Sequence, residues 1–363
     1  MNIDRRKLWS GALGMALGGC AAGAECSASG ETLWRELSTE PYPGKQDDIS
    51  FVSLNEGWYG NGAGKLYHTT DGGESWTKIW DQPGTFIRAL GFVDANNGFL
   101  GNVGTGYYPS VTDTHPLYRT RDGGRTWERV SVSGIESVKG ICGIDVLRQR
   151  RVFQGALQQG VIIHAAGRVG GPAAMLRSID GGETWHVLDL SAHAGMILDV
   201  KFFSEDVGLV CAASSSNIEE SNAMLLRTLD GGRTWVPVYR SARRFENCWK
   251  MNFPTREIGY ATVQNYEDGV SGRVILKTID GGSVWRELPL VDDERVREFG
   301  VGFVTQDWGW VGASTNGFET RDGGRSWTPV NMGRAVNKIR IVREARVWRA
   351  YAIGVNVSRL DGP

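Results

Sequence analysis

Six times along the chain an aspartate is followed by two glycines and, five residues after the aspartate, by a tryptophan. The aspartates are Asp71, Asp122, Asp180, Asp230, Asp280 and Asp322. The matching tryptophans are Trp76, Trp127, Trp185, Trp235, Trp285 and Trp327. Apolar and polar residues alternate on both sides of each occurrence, as they do in half-buried strands. Asp-Gly-Gly between two such runs reads as a tight turn, because glycine takes positive φ without a Cβ penalty. Glycine makes up 50 of the 363 residues, roughly twice average usage, which suits many short strands joined by turns.

A second hairpin precedes each turn, in segments beginning at Ile87, Ile197, Trp249 and Phe299. Each repeat therefore supplies four strands in about 40–58 residues, the size of a propeller blade. The chain ends on Asp361-Gly362-Pro363, the beginning of another box, while Trp34 near the start stands where a box tryptophan belongs. Joined, the ends make a seventh unit. The expectation is an all-β, seven-bladed β-propeller of four-stranded blades over residues 31–363, closed by a blade shared between the N- and C-termini. Closure removes the free sheet edges that would otherwise template aggregation.

Residues 1–19 read as an export signal rather than as part of the fold. Arg5, Arg6 and Lys7 precede a short apolar run from Leu8 to Leu17. Gly18-Gly19-Cys20 then forms a lipobox-like site, with Cys20 as the expected lipidated N-terminus and residues 20–30 as a linker. Both the general secretory and the twin-arginine routes fit Arg5-Arg6. The expected location is the periplasmic side of a bacterial membrane, with the lipid as the only membrane attachment. Removal of the leader takes the formal charge from −1 to −3, and nothing in that balance points to nucleic acid. Cys26, Cys142, Cys211 and Cys248 remain, at spacings of neither a zinc site nor a CxxC pair. An oxidising destination permits pairing without specifying it.

The pattern S/T-x-D-G-G-x-T/S-W, with its preceding hairpin, resembles Asp-box (BNR) repeat proteins, and its blades resemble the photosystem II stability/assembly factor family. That resemblance covers residues 30–363 and implies an exported, often lipid-anchored propeller without catalytic activity. It further implies binding of a protein partner during assembly or stabilisation of a membrane complex. Sialidases and xyloglucan hydrolases carry related repeats, so a sialidase-like glycan-binding or glycan-hydrolysing propeller is the alternative. A sialidase would need a Phe/Tyr-Arg-Ile-Pro motif; Phe86-Ile87-Arg88-Ala89 has neither that order nor the proline. His68, His115, His164, His186 and His193 share no ligand spacing, and no nucleophile elbow or phosphate loop is present. No catalytic residue, cofactor or metal is therefore assigned, and the protein is expected to act as a monomer.

The box residues read as structural: the aspartate caps its own turn and the tryptophan packs between sheets. Recognition is expected on the opposite face, where loops of uneven length carry Tyr107, Tyr108, Arg168, Glu219, Glu220, Tyr266 and Glu267. The links between blades add Arg88, Lys139, Arg243, Arg244, Arg295, Arg297, Arg334 and Lys338, the candidate basic rim of a central channel. Glu246, Glu298 and the acidic run 292–294 could neutralise it.

Overall fold

The computed structural model describes residues 33–42, 44–153 and 156–363. Cys20, Cys26 and the leader lie outside the described residues. Seven four-stranded antiparallel sheets account for the strands. Blades 1 to 6 span residues 46–81, 87–129, 143–189, 196–240, 246–292 and 298–330, each in simple sequential strand order. Blade 7 joins three C-terminal strands, Lys338–Glu344, Val347–Ile353 and Val357–Gly362, to the N-terminal strand Arg35–Glu36. Arg35 pairs with Arg359 and Glu36 with Ser358. Each innermost strand packs on the innermost strand of the next blade, and Lys338–Glu344 packs on Gln46–Phe51, which completes the ring.

The first hairpin of a blade has a steric signature. A phenylalanine ends the inner strand, and a glycine six residues later opens the second strand. A Cβ on Gly57, Gly98, Gly208, Gly259 or Gly309 would lie within 2.3–2.6 Å of the ring of Phe51, Phe92, Phe202, Phe253 or Phe303 respectively. The glycine is needed because the ring occupies the space of its side chain. At four interfaces the same phenylalanine stacks on an aromatic of the preceding blade's second strand. The pairs are Trp58–Phe92 at 3.7 Å, His164–Phe202 at 3.5 Å, Tyr260–Phe303 at 3.6 Å and Tyr351–Phe51 at 4.0 Å between centroids. The last of these closes blade 7 onto blade 1.

The box turns follow from their hydrogen bonds. In blade 2, Thr120 Oγ1 donates to Asp122 Oδ1 (2.9 Å) and accepts from Gly124 N–H (2.8 Å). Asp122 also accepts from the backbone N–H of Arg125 and Thr126 and from Thr126 Oγ1. Hydrogen bonds led by those of Thr234 and Ser326 bring the carboxyls of Asp230 and Asp322 down to about 2. Trp127, Trp185, Trp235 and Trp285 each return their indole N–H to the carbonyl of the second box glycine. The boxes also receive the preceding blade: Trp58 Nε1 reaches Gly123 O (2.9 Å), Arg119 reaches Gly182 O (2.9 Å) and Tyr351 Oη reaches Gly72 O (3.0 Å).

The seventh unit is a variant. Trp34 packs edge-on against Trp310 of blade 6 at 5.3 Å, much as Trp185 packs against Phe99 of blade 2. Asp361, by contrast, lies in the strand Val357–Gly362 rather than in a turn. It accepts from Arg349 Nε (2.9 Å) and Arg359 Nε (3.0 Å). Arg359, standing where the other boxes have Ser or Thr, donates to Gly72 O (2.8 Å).

Candidate functional site

The ring has two unlike faces. Box glycine N–H groups bond to carbonyls of the first hairpin turn, as in Gly72 N to Asn55 O (2.7 Å) and Gly231 N to Asp206 O (2.8 Å), so boxes and first turns share one face. The second-to-third-strand loops and the links between blades share the other face, around the opposite mouth of the channel.

Two of the eight basic candidates are not on that mouth. Arg88 and Lys338 are buried inside the ring, at most 4% exposed. Arg88 pairs with Asp47 and lies 5.0 Å over the Trp249 ring. Lys338 pairs with Asp48 at 2.5 Å and donates to Arg88 O at 3.2 Å. Lys45 Nζ and Trp249 Nε1 both donate to Asn337 Oδ1, whose amide donates to Asp47 O. Lys250 donates to Leu198 O (2.6 Å) and lies 5.1 Å over Trp249. These residues come from blades 1, 2, 4, 5 and 7 and their links, and they fill the channel with paired charge. Burial alone would raise Asp48, but Lys338, Arg340 and the Leu90 N–H together hold it below its ordinary value. Burial draws Lys45 and Lys338 down to about 7. Arg88 and Lys338, expected on the rim, lie instead inside the ring: an inner strand points alternate residues into the channel, where carboxylates meet them.

The other six lie on or beside the links of that face, mostly paired. Arg243 reaches Glu246 through Nε (2.6 Å) and grips Glu287 with both terminal nitrogens (3.0 and 2.8 Å). Arg295 is bidentate on Asp293 (2.9 and 2.7 Å), and Lys139 caps the Glu136 carbonyl (2.7 Å). Arg297 stacks over Tyr266 at 4.2 Å. Arg244 and Arg334 are exposed. Glu219, Glu220 and Glu267 are exposed on the adjoining loops. The mouth is thus a mosaic of charges rather than a basic ring, and its exposed pairs are each worth little.

An aromatic feature emerges instead. Tyr108 stacks on Phe86 at 4.6 Å and meets Tyr107 edge-on at 4.7 Å. Arg168 of blade 3 donates to Thr105 O (2.7 Å) and Gly171 O (3.0 Å), which ties the blade 2 and blade 3 loops together. Burial, with Tyr108 and Tyr266 close by, holds the Tyr107 phenol well above its ordinary value. Tyr107 and Tyr108 on the blade 2 loop, and Tyr266 with Arg297 on the blade 5 side, are half-buried on this face, with Tyr266 near enough to act on Tyr107. Their sequence places these tyrosines on uneven loops, but only the ring brings together two loops so far apart along the chain.

Beneath them, Glu298 is fully buried with neither carboxyl oxygen hydrogen-bonded, and burial pushes it up to about 8. Its neighbour Glu246 is 2% exposed and bonded to Arg243 and Asn265 Nδ2 (3.0 Å). Among the described residues, no group of three His, Cys, Asp or Glu side chains is placed to hold a metal ion.

This geometry has recognisable relatives. No protein-family model matches the chain. The photosystem II assembly lipoprotein Ycf48 of Synechococcus sp. is 37% identical over 92 residues, 23% of this chain and 24% of that protein. An oligoxyloglucan-reducing end-specific xyloglucanase of Emericella nidulans is 29% identical over 137 residues, 35% of this chain and 16% of that protein. The chain therefore spans a quarter or less of each curated relative's length. Among solved structures, YCF48 bound to D1 peptide superposes with a TM-score of 0.61 at 18% identity, covering 91% of this chain and 96% of that one. The GH74 xyloglucanase from Xanthomonas campestris gives 0.58 at 16% identity, covering 88% of this chain and 52% of that one. The WD40 propeller domain of Doa1 gives 0.60 at 10% identity. The chain is an all-β propeller similar to Ycf48 and to xyloglucanase propellers. At these identities the structural likeness establishes the fold alone.

Proposed function

We propose that this chain is a non-catalytic, exported and lipid-anchored propeller that binds a protein partner with its loop face during assembly or stabilisation of a membrane complex. The observation that carries this reading is the group of half-buried Tyr107, Tyr108, Tyr266 and Arg297 on the loop face. Tyrosine and arginine dominate the energetics of protein interfaces, and loops on a rigid scaffold are where recognition concentrates. The full-length likeness to YCF48, a protein solved with a D1 peptide, supports it. The glycan reading draws on the xyloglucanase likeness.

The test is capture of partners from solubilised membranes by the full chain. Tyr107→Ala with Arg297→Glu should weaken the major captured protein about tenfold or more, as loss of a central anchor does. Leu229→Ser, at an exposed site on the box face, should leave capture unchanged. Equal capture by both variants, or release of sugar from xyloglucan oligosaccharides by the wild type, would favour the alternative.

A further inference from the structure

Cys211 lies on the second strand of blade 4, Gly208–Ala213, and Cys248 on the inner strand of blade 5, Glu246–Asn252. Their sulfurs face each other across the blade interface at 3.5 Å, and both residues are fully buried as free thiols. The surroundings are largely apolar, with Leu209, Leu225, Ala261, Val263, Leu276 and Trp285 in the same core cluster and buried Asp199 opposite Cys211 in its hairpin. Among the described residues no metal-binding group includes either sulfur. Two thiols held in register 37 residues apart in sequence are one short movement from a covalent link. Closing from 3.5 Å to a disulfide's roughly 2.05 Å asks for side-chain rotation and a small approach of the two strands.

We propose that Cys211 and Cys248 form a disulfide that staples blade 4 to blade 5 when the chain matures in an oxidising compartment. The two S–H bonds break and one S–S bond forms. The two electrons and two protons pass to the disulfide of an external thiol–disulfide carrier or of oxidised glutathione, which leaves as two thiols. Burial, with Cys248 alongside, holds the Cys211 thiol well above its ordinary value, so Cys211 is a poor nucleophile once folded and the bond is made while the blades assemble. The link would close a 37-residue separation and restrict the unfolded chain accordingly. The proposal rests on the export reading only for its source of oxidant.

The experiment refolds the full-length chain from the reduced, denatured state in a glutathione redox buffer. Acid quenching, maleimide labelling in denaturant and peptide mapping follow. The expected product is one linked peptide pair containing Cys211 and Cys248, two hydrogens lighter than the reduced pair, with Cys142 labelled. Adding reductant should lower Tm by about 4–8 °C in this product. It should leave Tm unchanged in the Cys211→Ala, Cys248→Ala double variant. Full labelling of both cysteines in oxidised buffer, or their linkage to Cys26 or Cys142 instead, overturns the proposal. Because the wild type itself is mapped, that outcome does not depend on whether the variant folds. If the link forms in glutathione but is missing from cell-made chain that retains residues 1–19, the export reading fails and the pairing stands.

Discussion

At the residue scale the chain separates positions that make turns from positions that store charge. The box aspartates are held low by hydrogen bonds from their own turns, so their contribution to stability is present above pH 4 and is lost as pH falls toward 2. Glu298 has the opposite sign. Its folded pKa, about 8, exceeds the ordinary 4.5, so between those values the folded state keeps a proton that the unfolded chain has released. Its effect on stability therefore becomes less favourable as pH rises from about 4.5 to 8. Glu298→Gln should raise stability at pH 8 by on the order of a few kcal/mol and change it little at pH 5. Lys45 and Lys338, drawn down to about 7, titrate in the upper part of this window, but they are common to both proteins and drop out of the difference. Thermal unfolding of the two proteins at both pH values checks this; a difference that does not grow with pH would mean that Glu298 is charged in the fold.

At the element scale the informative unit is blade 7. Its outer strand is only Arg35–Glu36, two residues, reinforced by Leu37 N to Val357 O (2.8 Å). Side chains fasten what so short a ladder cannot. Trp34 meets Trp310, and Arg35 and Arg359 both pair with Glu74 of blade 1, at 2.6 and 2.8 Å. Trp34→Ala should cost about 2–3 kcal/mol, below the range for a fully buried tryptophan because Trp34 is only partly covered. Urea unfolding measures it, and Trp34→Phe should recover part of the loss. A drop below about 0.5 kcal/mol would show that the ring is held without the N-terminal strand.

At the scale of the whole molecule, the ring turns a repeating sequence into two faces and a filled centre. The box face is a set of self-contained turns, whereas the loop face gathers tyrosines and arginines from distant blades. Between them the charges around Trp249 tie blades 1, 2, 5 and 7, so the channel is packed at that depth rather than open. The proposed lipid at Cys20 is what would hold this ring at a membrane. Cys20→Ala should therefore move the protein from the membrane fraction to the soluble fraction without altering its Tm, which fractionation and thermal melting together test. Retention in the membrane fraction would place the attachment elsewhere.

The box turns, the hairpin that precedes each of them and the meeting of the two chain ends were legible in the sequence, because each depends on residues within one repeat or on counting repeats. The place of each charge was not. Arg88 and Lys338 read as rim residues from their position in the links, yet the carboxylates that draw them inward, Asp47 and Asp48, belong to a different blade from either. Asp361 read as a box aspartate, but it lies within a strand, where Arg349 and Arg359 claim it. The nearness of Tyr107 to Tyr266 and the meeting of Cys211 with Cys248 depend on how blades are set around the ring. Local sequence determines the blade, since turn and strand preferences act over a few residues. Which side chains face one another is decided only when the ring closes, because contacts between blades join residues that the chain itself keeps far apart.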